Sequence, residues 1–417
     1  MYFNEVNGFM YLTKLLYKFG RSILPCVLLT LCIGWCYSFS LFAPHLATLL
    51  GCTSTQVAFT FCLNIFFLGM GAALFGPLVE RWIKRAAFLS SSLLILGLLV
   101  SALACHVGNV WLMWLGCGVL CGLAEGIGYL TPNKNMMLWF PTSNYKGFLT
   151  AISIFTFGLG SSLCAWLFGM LFPLLGIAGT FLALAVVYAI PLIVSTILIQ
   201  KPRYALVKLS KKARSEFSYI ETVKDRYFQK CWLFMFLNIS MGLILIGSCA
   251  TFLGTLGFSA SSIITLMMLC GIFNGVGRLV FPAIGDFLNN RSVVWVITAV
   301  VEVLLMVPVM IAYSTGVGAL CAAGCIVLIH AGYGSAFACL PGILSTHYGK
   351  DTLSQRHGFC LTSWGMASLM AFLCSTFVLK TFTGHLPIMV LVAIGYAVNI
   401  LVSASLTKDC STKKHHP

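Results

Sequence analysis

The stretch GPLVERWIKR at residues 76–85 follows one apolar segment, and a similar stretch, PAIGDFLNNR at residues 282–291, follows another in the second half of the chain. Glu80 in the first corresponds to Asp286 in the second, and an arginine stands five residues later in both. Two distant copies of one connection indicate an internal repeat. The repeat favours two related bundles over one continuous domain.

A second motif repeats in the same two halves. GIGYLTP at residues 126–132 is followed by YKGF at 145–148, and GYGSAFACLP at 332–341 is followed by RHGF at 356–359. The glycines suit close helix packing in lipid, where no hydrophobic effect drives association between helices. Together the repeats predict that the two halves fold in the same way.

Composition defines the class of protein. With 59% hydrophobic and 8% charged residues and a mean hydropathy of +0.98, the chain has more apolar surface than a soluble core could bury. Runs of roughly the 20 residues that cross a bilayer occur twelve times. These runs, called spans 1–12, begin near Leu24, Thr53, Ala86, Asn109, Tyr145, Ile177, Lys230, Ala260, Ser292, Gly316, Arg356 and Gly384. The sequence predicts an all-α polytopic membrane protein with twelve transmembrane helices in two pseudo-symmetric six-helix bundles.

The spans divide the chain into five parts. We expect a cytoplasmic N-terminal segment at residues 1–23, an N-terminal bundle at 24–199, a basic cytoplasmic linker at 200–229, a C-terminal bundle at 230–406 and a cytoplasmic tail at 407–417.

The distribution of positive charge predicts the orientation. The net charge is +15, and all but Arg278 and Lys380 of the 25 Lys and Arg residues lie at the termini or in the even-to-odd connections. This positive-inside pattern predicts that both termini are cytoplasmic in a multi-pass protein of the cell membrane, and nucleic-acid binding is not expected. Lys14, Lys18 and Arg21 precede span 1 without a cleavage pattern, so the start is predicted to be uncleaved.

The 18 cysteines lie mostly in apolar runs. They show no CxxC spacing and no histidine cluster in a loop, so we expect no metal site, no disulfide framework and no cofactor. The sequence also lacks a Walker-type motif and a credible nucleophile–base pair, so an enzyme is not expected. Any transport would then draw on a gradient of substrate, protons or another ion.

The segment from Gly76 to Arg85 resembles the signature that major facilitator proteins carry between their second and third helices. Here Glu80 replaces the usual Asp and Ile83 the later Gly. Within that superfamily the chain resembles the oxalate/formate antiporter group, a relative of the monocarboxylate transporters. The likeness lies in GWCYSFSLFAP at 34–44, GIGYLTP at 126–132 with WFP at 139–141 and Lys146-Gly147, NGVGR at 274–278, and Pro341 with Tyr348, Gly349 and Gly358. It implies the major facilitator fold and alternating access by rocking of the two bundles.

The resemblance also implies an inner gate. Its residues would be Glu80, Arg81 and Arg85 in the first half, with Asp286 and Arg291 at the matching positions of the second half. These residues stand at the cytoplasmic ends of the spans, so we expect them to act on turnover rather than on the cargo.

Arg278 is the candidate for substrate binding. It is the one Lys or Arg that we place in the membrane interior, eight residues before Asp286 and so about 12 Å from the inner end of span 8. A buried guanidinium can hold a carboxylate bidentately, although pairing with a neighbouring acid is the alternative. Oxalate-transporting members carry a lysine on span 11 where Trp364 stands here. The resemblance therefore implies a monoanion such as a small monocarboxylate.

Aromatic side chains are expected to surround the less polar part of such an anion. We expect two or three of five rings to line the cavity: Trp35, Tyr37, Phe39, Tyr129 and Trp364.

Glu125 and His330 are the candidates for proton coupling. Glu125 could meet Arg278 across the cavity, and the imidazole of His330 titrates near neutral pH. A packing role is the alternative for both. For Glu302 on span 9 we expect a structural partner or an inward-facing polar contact rather than substrate binding.

The sequence thus predicts a secondary active transporter of a small organic anion that works by exchange or proton coupling. The alternatives are a proton-coupled exporter of drugs or other metabolites and a carboxylate-sensing membrane receptor. The expected partners are the anion, protons and membrane lipid, and we expect a monomer.

Overall fold

The computed structural model describes residues 2–140, 146–202, 218–288, 291–349 and 353–413. Within these ranges the side chains of residues 2–14, 146–150, 353–354 and 409–413 are not described. Much of the predicted linker, the end of the predicted tail, Pro141 and Lys350 lie outside the described residues.

The described part of the N-terminal half is helical and forms spans 1–6. Its helices are Tyr2–Ile33, Gly34–Ser38 and Phe39–Leu49 (span 1), Ser54–Arg81 (span 2), Ile83–Val107 (span 3), Val110–Met113, Trp114–Leu120 and Cys121–Trp139 (span 4), and Lys146–Leu198 (spans 5 and 6).

The described part of the C-terminal half repeats this arrangement after the short helix Tyr219–Lys224. Its helices are Arg226–Gly247 and Cys249–Thr255 (span 7), Ala260–Phe287 (span 8), Arg291–Thr315 (span 9), Ala319–Tyr348 (span 10), Leu353–Cys360 and Thr362–Thr381 (span 11), and Leu386–Lys413 (span 12).

An all-helical fold follows from the solvent, because lipid cannot satisfy backbone polar groups and a helix satisfies them internally. Eleven described helices are long and apolar enough to cross a membrane. One of them, Ala151–Leu198, has 48 residues, whereas about 20 suffice for one crossing. It turns at Gly176, whose φ of 64° and ψ of −173° suit glycine alone. The helix therefore crosses twice, and the all-α, twelve-span prediction is confirmed.

The two bundles meet along spans 5 and 8 and along spans 2 and 11. A Cβ atom added to Gly158 would lie 2.5 Å from the backbone nitrogen of Gly275, and one added to Gly69 would lie 2.3 Å from that of Gly365. Neither crossing has room for a side chain. The helices of opposite bundles thus touch backbone to backbone, which is how small residues allow close packing in lipid.

We predict that Gly69→Ala destabilises the protein. An alanine in a helix interior is favoured over glycine by about 1 kcal/mol, but overpacking against span 11 should cost about 1–3 kcal/mol. The apparent Tm of the detergent-solubilised protein should fall by several degrees. Gly76→Ala on the same helix is the control, because a Cβ there meets no atom within 4 Å and should leave the Tm unchanged or raise it. Equal Tm values for the two variants would contradict the tight crossing.

Candidate functional site

Arg278 lies at the centre of the molecule, on span 8, with 0% of its surface exposed. Its Nε donates a hydrogen bond of 2.9 Å to Oδ1 of Asn274, one helical turn earlier. The guanidinium carbon lies 5.2 Å from the ring centre of Phe157 on span 5 and 5.3 Å from that of Phe337 on span 10. The cation is thus held between two aromatic rings, which attract it electrostatically.

The edge of this guanidinium that carries Nη1 and Nη2 is buried and makes no hydrogen bond of standard geometry to a described residue, although the Tyr129 hydroxyl lies near enough to interact with it. No described carboxylate lies within ion-pair distance of Arg278, so the helix-packing ion pair that the sequence left open is not seen among the described residues. Buried donors without acceptors are costly, and a carboxylate is an acceptor of matching geometry.

Six rings pack around the guanidinium and form what we call the aromatic cluster. All are buried, and neighbouring ring centres lie 4.2–6.4 Å apart. They come from spans 1, 4, 5, 10 and 11: Tyr37, Tyr129, Phe157, Tyr333, Phe337 and Trp364. The cluster therefore draws on both bundles.

The aromatic cluster carries polar atoms as well as rings. The hydroxyls of Tyr37 and Tyr333 lie 3.1 Å apart and share a hydrogen bond. The hydroxyl of Tyr129, close to Arg278, and Nε1 of Trp364, close to Tyr333, are buried and make no hydrogen bond of standard geometry in the described part of the chain. Together with Arg278 they offer a set of hydrogen-bond donors, which could bind the oxygen atoms of an anion.

Three of the five rings predicted to line the cavity belong to this cluster, namely Tyr37, Tyr129 and Trp364. The other two do not. Trp35 packs edge-on against Phe42 and Phe181 within the N-terminal bundle. Phe39 stacks on Phe61, and both rings line a cavity at the predicted external end; of the five predicted rings, Phe39 is the one that this cavity includes.

Sequence reasoning missed Phe157, Tyr333 and Phe337. Tyr333 and Phe337 stand one turn apart in the repeated GYGSAFACLP motif, so a search for aromatic residues within the repeats would have found them. Phe157 is next to Gly158, the crossing point of spans 5 and 8, and only the packing of the two bundles identifies it.

Glu125 is fully buried on span 4, one turn before Tyr129. Its Oε1 accepts a hydrogen bond of 3.3 Å from Nδ2 of Asn64 on span 2, and its Oε2 makes no hydrogen bond of standard geometry, although the side chains of Cys36 and Trp35 lie close to the carboxyl. The expected meeting with Arg278 is not seen, because the carboxylate faces the interior of its own bundle.

The other two buried polar candidates lie in the C-terminal bundle. Glu302 accepts from Asn238, with the shorter contact at 2.9 Å, as expected for a structural partner. Nδ1 of His330 lies 2.7 Å from the carbonyl oxygen of Ile326. His330 makes none of the ring contacts that define the aromatic cluster.

The predicted inner-gate residues form local pairs in both halves. Glu80 forms an ion pair with Lys134 on span 4, and Arg85 lies over the ring of Trp82 at 4.4 Å. Lys201 donates to the backbone carbonyls of Glu80 and Arg81, at 2.9 and 3.0 Å. Burial lowers the pKa of Lys201, with Lys134 contributing in the same direction. The side chain of Arg81 is exposed.

In the second half, Nε of Arg291 lies 2.7 Å from Oδ1 of Asp286, and its Nη1 reaches the carbonyl of Gly342 at 3.4 Å. Each acid of the repeated connection is thus paired with a base from a neighbouring helix of its own bundle. The pairs connect the predicted inner ends of spans 2 and 4 and of spans 8, 9 and 10.

A cavity of about 520 Å³ opens at the end predicted to be external. It is lined by spans 1, 2, 7 and 11 and includes Lys380, Ser54 and Ser248. The cavity lies between the two bundles, as expected of a path toward a midplane site.

A profile of the Major Facilitator Superfamily matches residues 23–372. The chain belongs to this superfamily. It is also 26% identical over 355 residues to the uncharacterized MFS-type transporter YhjX of Escherichia coli (strain K12), covering 84% of this chain and 85% of YhjX.

Solved structures show the same fold. The D-xylose-proton symporter matches with a TM-score of 0.72 and 12% identity, over 92% of this chain and 96% of its own. A mutant of the nucleoside transporter NupG matches with a TM-score of 0.69 and 13% identity, over 94% and 99%. The protein is thus an integral, multi-pass membrane transporter with the major facilitator fold. The predicted subgroup, cargo, membrane and orientation stay predictions.

We predict that Glu80→Gln changes turnover more than binding. A partly exposed ion pair contributes only about 0–1 kcal/mol, so stability should change little, while the inner ends of spans 2 and 4 lose a contact. In proteoliposomes loaded with labelled lactate, the maximal exchange rate should change at least about threefold with KM nearly constant. Lys134→Met should behave alike, and Glu80→Lys with Lys134→Glu should restore the rate. A loss confined to KM would contradict the assignment.

Proposed function

We propose that the protein is a secondary transporter of small monocarboxylates, which binds the carboxylate at Arg278 and alternates access by rocking its two bundles. The observation that carries this proposal is the pair of buried Nη atoms of Arg278 beside the aromatic cluster, which make no hydrogen bond of standard geometry to a described residue. A carboxylate accepts from both through two parallel hydrogen bonds. The fold supplies the alternating-access mechanism.

The surroundings of Arg278 favour an anion of one charge. No second Lys or Arg contributes to the aromatic cluster, and Trp364 occupies the position at which the resemblance would put a lysine. A dianion would leave one carboxylate without a cation, at a cost of several kcal/mol unless it is protonated. The rings instead suit a short apolar substituent, and Tyr129 and Trp364 can add neutral hydrogen bonds.

An exporter of drugs or other metabolites is the second candidate, because the major facilitator fold carries many cargoes. The solved relatives are named for a sugar and for nucleosides. A full positive charge whose Nη atoms have no acceptor at hydrogen-bond geometry among the described residues is a poor match to an uncharged cargo, and this favours the anion. A receptor that senses the carboxylate without moving it differs only in flux, which proteoliposomes measure.

Glu125 is the group that we assign to proton coupling. It lies one turn from Tyr129 on span 4, and its Oε2 makes no hydrogen bond of standard geometry to a described residue. Glu125 forms no ion pair with Arg278 among the described residues, so it can change protonation without releasing that cation. Movement of span 4 between the two states would change its surroundings, as coupling requires.

The first prediction of this proposal concerns Arg278. Formate, acetate, lactate or pyruvate should raise the apparent Tm of the purified protein at pH 7, since a ligand held at 100 Kd adds about 2.7 kcal/mol of stability. Arg278→Lys keeps the charge but loses the planar fork, so the affinity should fall about ten- to a hundredfold. Arg226→Lys, at the exposed start of span 7, is the matched control and should bind as the wild type does.

Uptake of the labelled hit into proteoliposomes then separates a carrier from a receptor. Wild-type affinity and uptake in both Arg278→Lys and Arg278→Ala would remove Arg278 from the site. A ligand that binds without any flux would leave the site in place and replace the carrier by a receptor.

The second prediction concerns cargo charge. At neutral pH, unlabelled monocarboxylates should compete with labelled lactate at least about a hundredfold better than oxalate does, because the second carboxylate lacks a cation. Trp364→Lys should shift the preference toward oxalate, and Trp364→Phe, which keeps a ring but removes Nε1, should weaken lactate binding without that shift. A wild-type preference for oxalate would overturn the charge argument.

The third prediction concerns coupling. Glu125→Gln should abolish uptake driven by an inward proton gradient while lactate–lactate exchange continues, because the amide cannot carry the proton. Glu302→Gln is the matched control, since Glu302 is also buried and bonded to an asparagine but lies in the other bundle. Proton-driven uptake that survives in Glu125→Gln would place the coupling group elsewhere.

A further inference from the structure

Cys249, Cys270 and His330 converge inside the C-terminal bundle. Their two Sγ atoms and one imidazole nitrogen lie within 4.8 Å of one another, and all three residues are buried. They come from spans 7, 8 and 10 and stand 21 and 60 residues apart, so no local sequence pattern reveals them. In the ranges covered by the structure, no second group of three such ligand atoms is found.

We propose that these three side chains bind a zinc-class divalent ion. Zinc bonds of about 2.3 Å to sulfur and about 2.0 Å to nitrogen put tetrahedral ligand atoms about 3.5–3.8 Å apart. The observed spread needs a closure of about 1 Å, which side-chain rotation supplies. A fourth position remains for water, as in zinc sites with three protein ligands.

The imidazole of His330 is already oriented by its own helix. Its Nδ1 lies 2.7 Å from the carbonyl oxygen of Ile326, one turn earlier. A carbonyl only accepts, so this contact requires the proton on Nδ1 and leaves the lone pair of neutral imidazole on Nε2. A backbone carbonyl that holds the second nitrogen in this way is the usual support of a metal-binding histidine.

Charge favours a divalent ion over a monovalent one. Cys249 and Cys270 are free cysteines, not a disulfide. On binding, each thiol loses its proton to solvent and becomes a thiolate. Two thiolates, a neutral imidazole and a divalent cation sum to zero, and a neutral site avoids the cost of a net charge inside the membrane. Thiolate and imidazole are also the ligands that zinc-class ions prefer.

The external cavity borders the segment that carries Cys249. Gly247, Ser248 and Thr251, which flank Cys249, line that cavity. The helix of span 7 breaks at Ser248, with a φ of −120° and a ψ of 13°, and restarts at Cys249. An ion arriving through the cavity would therefore reach the break between the two helices of span 7 rather than an unbroken helix.

Metal binding would connect this break in span 7 to Arg278 and the aromatic cluster. Span 8 carries both Cys270 and Arg278, eight residues or about 12 Å apart, and span 10 carries both His330 and Tyr333. A bound ion would tie spans 7, 8 and 10 together. It would thus restrain span 8, which carries Arg278, and span 10, which contributes Tyr333 and Phe337 to the aromatic cluster, whatever the cargo is.

The test is a metal titration of the reduced, untagged full-length protein in detergent. The protein is first stripped with chelator and then titrated with Zn²⁺. The wild type should retain about one Zn²⁺ per chain through gel filtration, and titration with Co²⁺ should give thiolate charge-transfer bands. Cys249→Ser, Cys270→Ser and His330→Gln should each retain less than about a tenth of that zinc. Zn²⁺ should raise the apparent Tm of the wild type alone among these four proteins.

Cys339→Ser is the matched control, since Cys339 is buried on span 10 but lies outside the cluster, and it should bind zinc as the wild type does. His415 and His416 of the tail are present in every variant and contribute equally. Similar melting of all variants in chelator would show that the substitutions leave the fold intact. A wild type without stoichiometric zinc while both thiols are reduced, or equal zinc in all variants, would overturn the proposal.

Discussion

Burial of the Arg278 guanidinium is the constraint around which the site is built. A permanent cation in the membrane interior is costly unless the protein replaces its lost hydration. Here one amide oxygen and two ring faces do so, and they come from three spans. Those contacts reach Nε and the guanidinium carbon, whereas Nη1 and Nη2 make no hydrogen bond of standard geometry to a described residue. The charge is thus stabilised without a described carboxylate beside it, and the proposed anion site depends on this feature.

The close crossing of the two bundles makes this arrangement possible. Arg278 stands three residues after Gly275, and Phe157 stands immediately before Gly158, so the cation–ring contact lies at the point where spans 5 and 8 touch. A side chain at either glycine would separate the helices and draw the ring away from the cation. The glycine contact and the electrostatic contact thus support each other. This also explains why the site is shared between bundles, which is what rocking about a midplane site needs.

The two halves share a fold but not a chemistry. Both bundles bury a glutamate against an asparagine, yet Glu125 lies one turn from the aromatic cluster on span 4, whereas Glu302 lies on span 9 and packs against Gly332. Among the described residues, Arg278 and the Cys/His group both lie in the C-terminal bundle. The proposed anion and metal ligands therefore lie in one half, and the proposed coupling carboxyl, Glu125, lies in the other.

The sequence by itself determined that the protein lies in a membrane, how many times it crosses and that its two halves are related. Apolar run length, charge placement and duplicated motifs are local properties of the chain. It also singled out Arg278, since an isolated cation in an apolar run is conspicuous without any structure. Tertiary packing decided the partners. Phe157 lies in the aromatic cluster and Trp35 lies outside it, because the rotation of each helix about its axis decides which face meets the neighbouring helices. In lipid both the buried and the lipid-facing sides of a span are apolar, so the sequence does not distinguish them. The approach of Cys249 to His330 likewise depends on three helices meeting, which no spacing along the chain encodes.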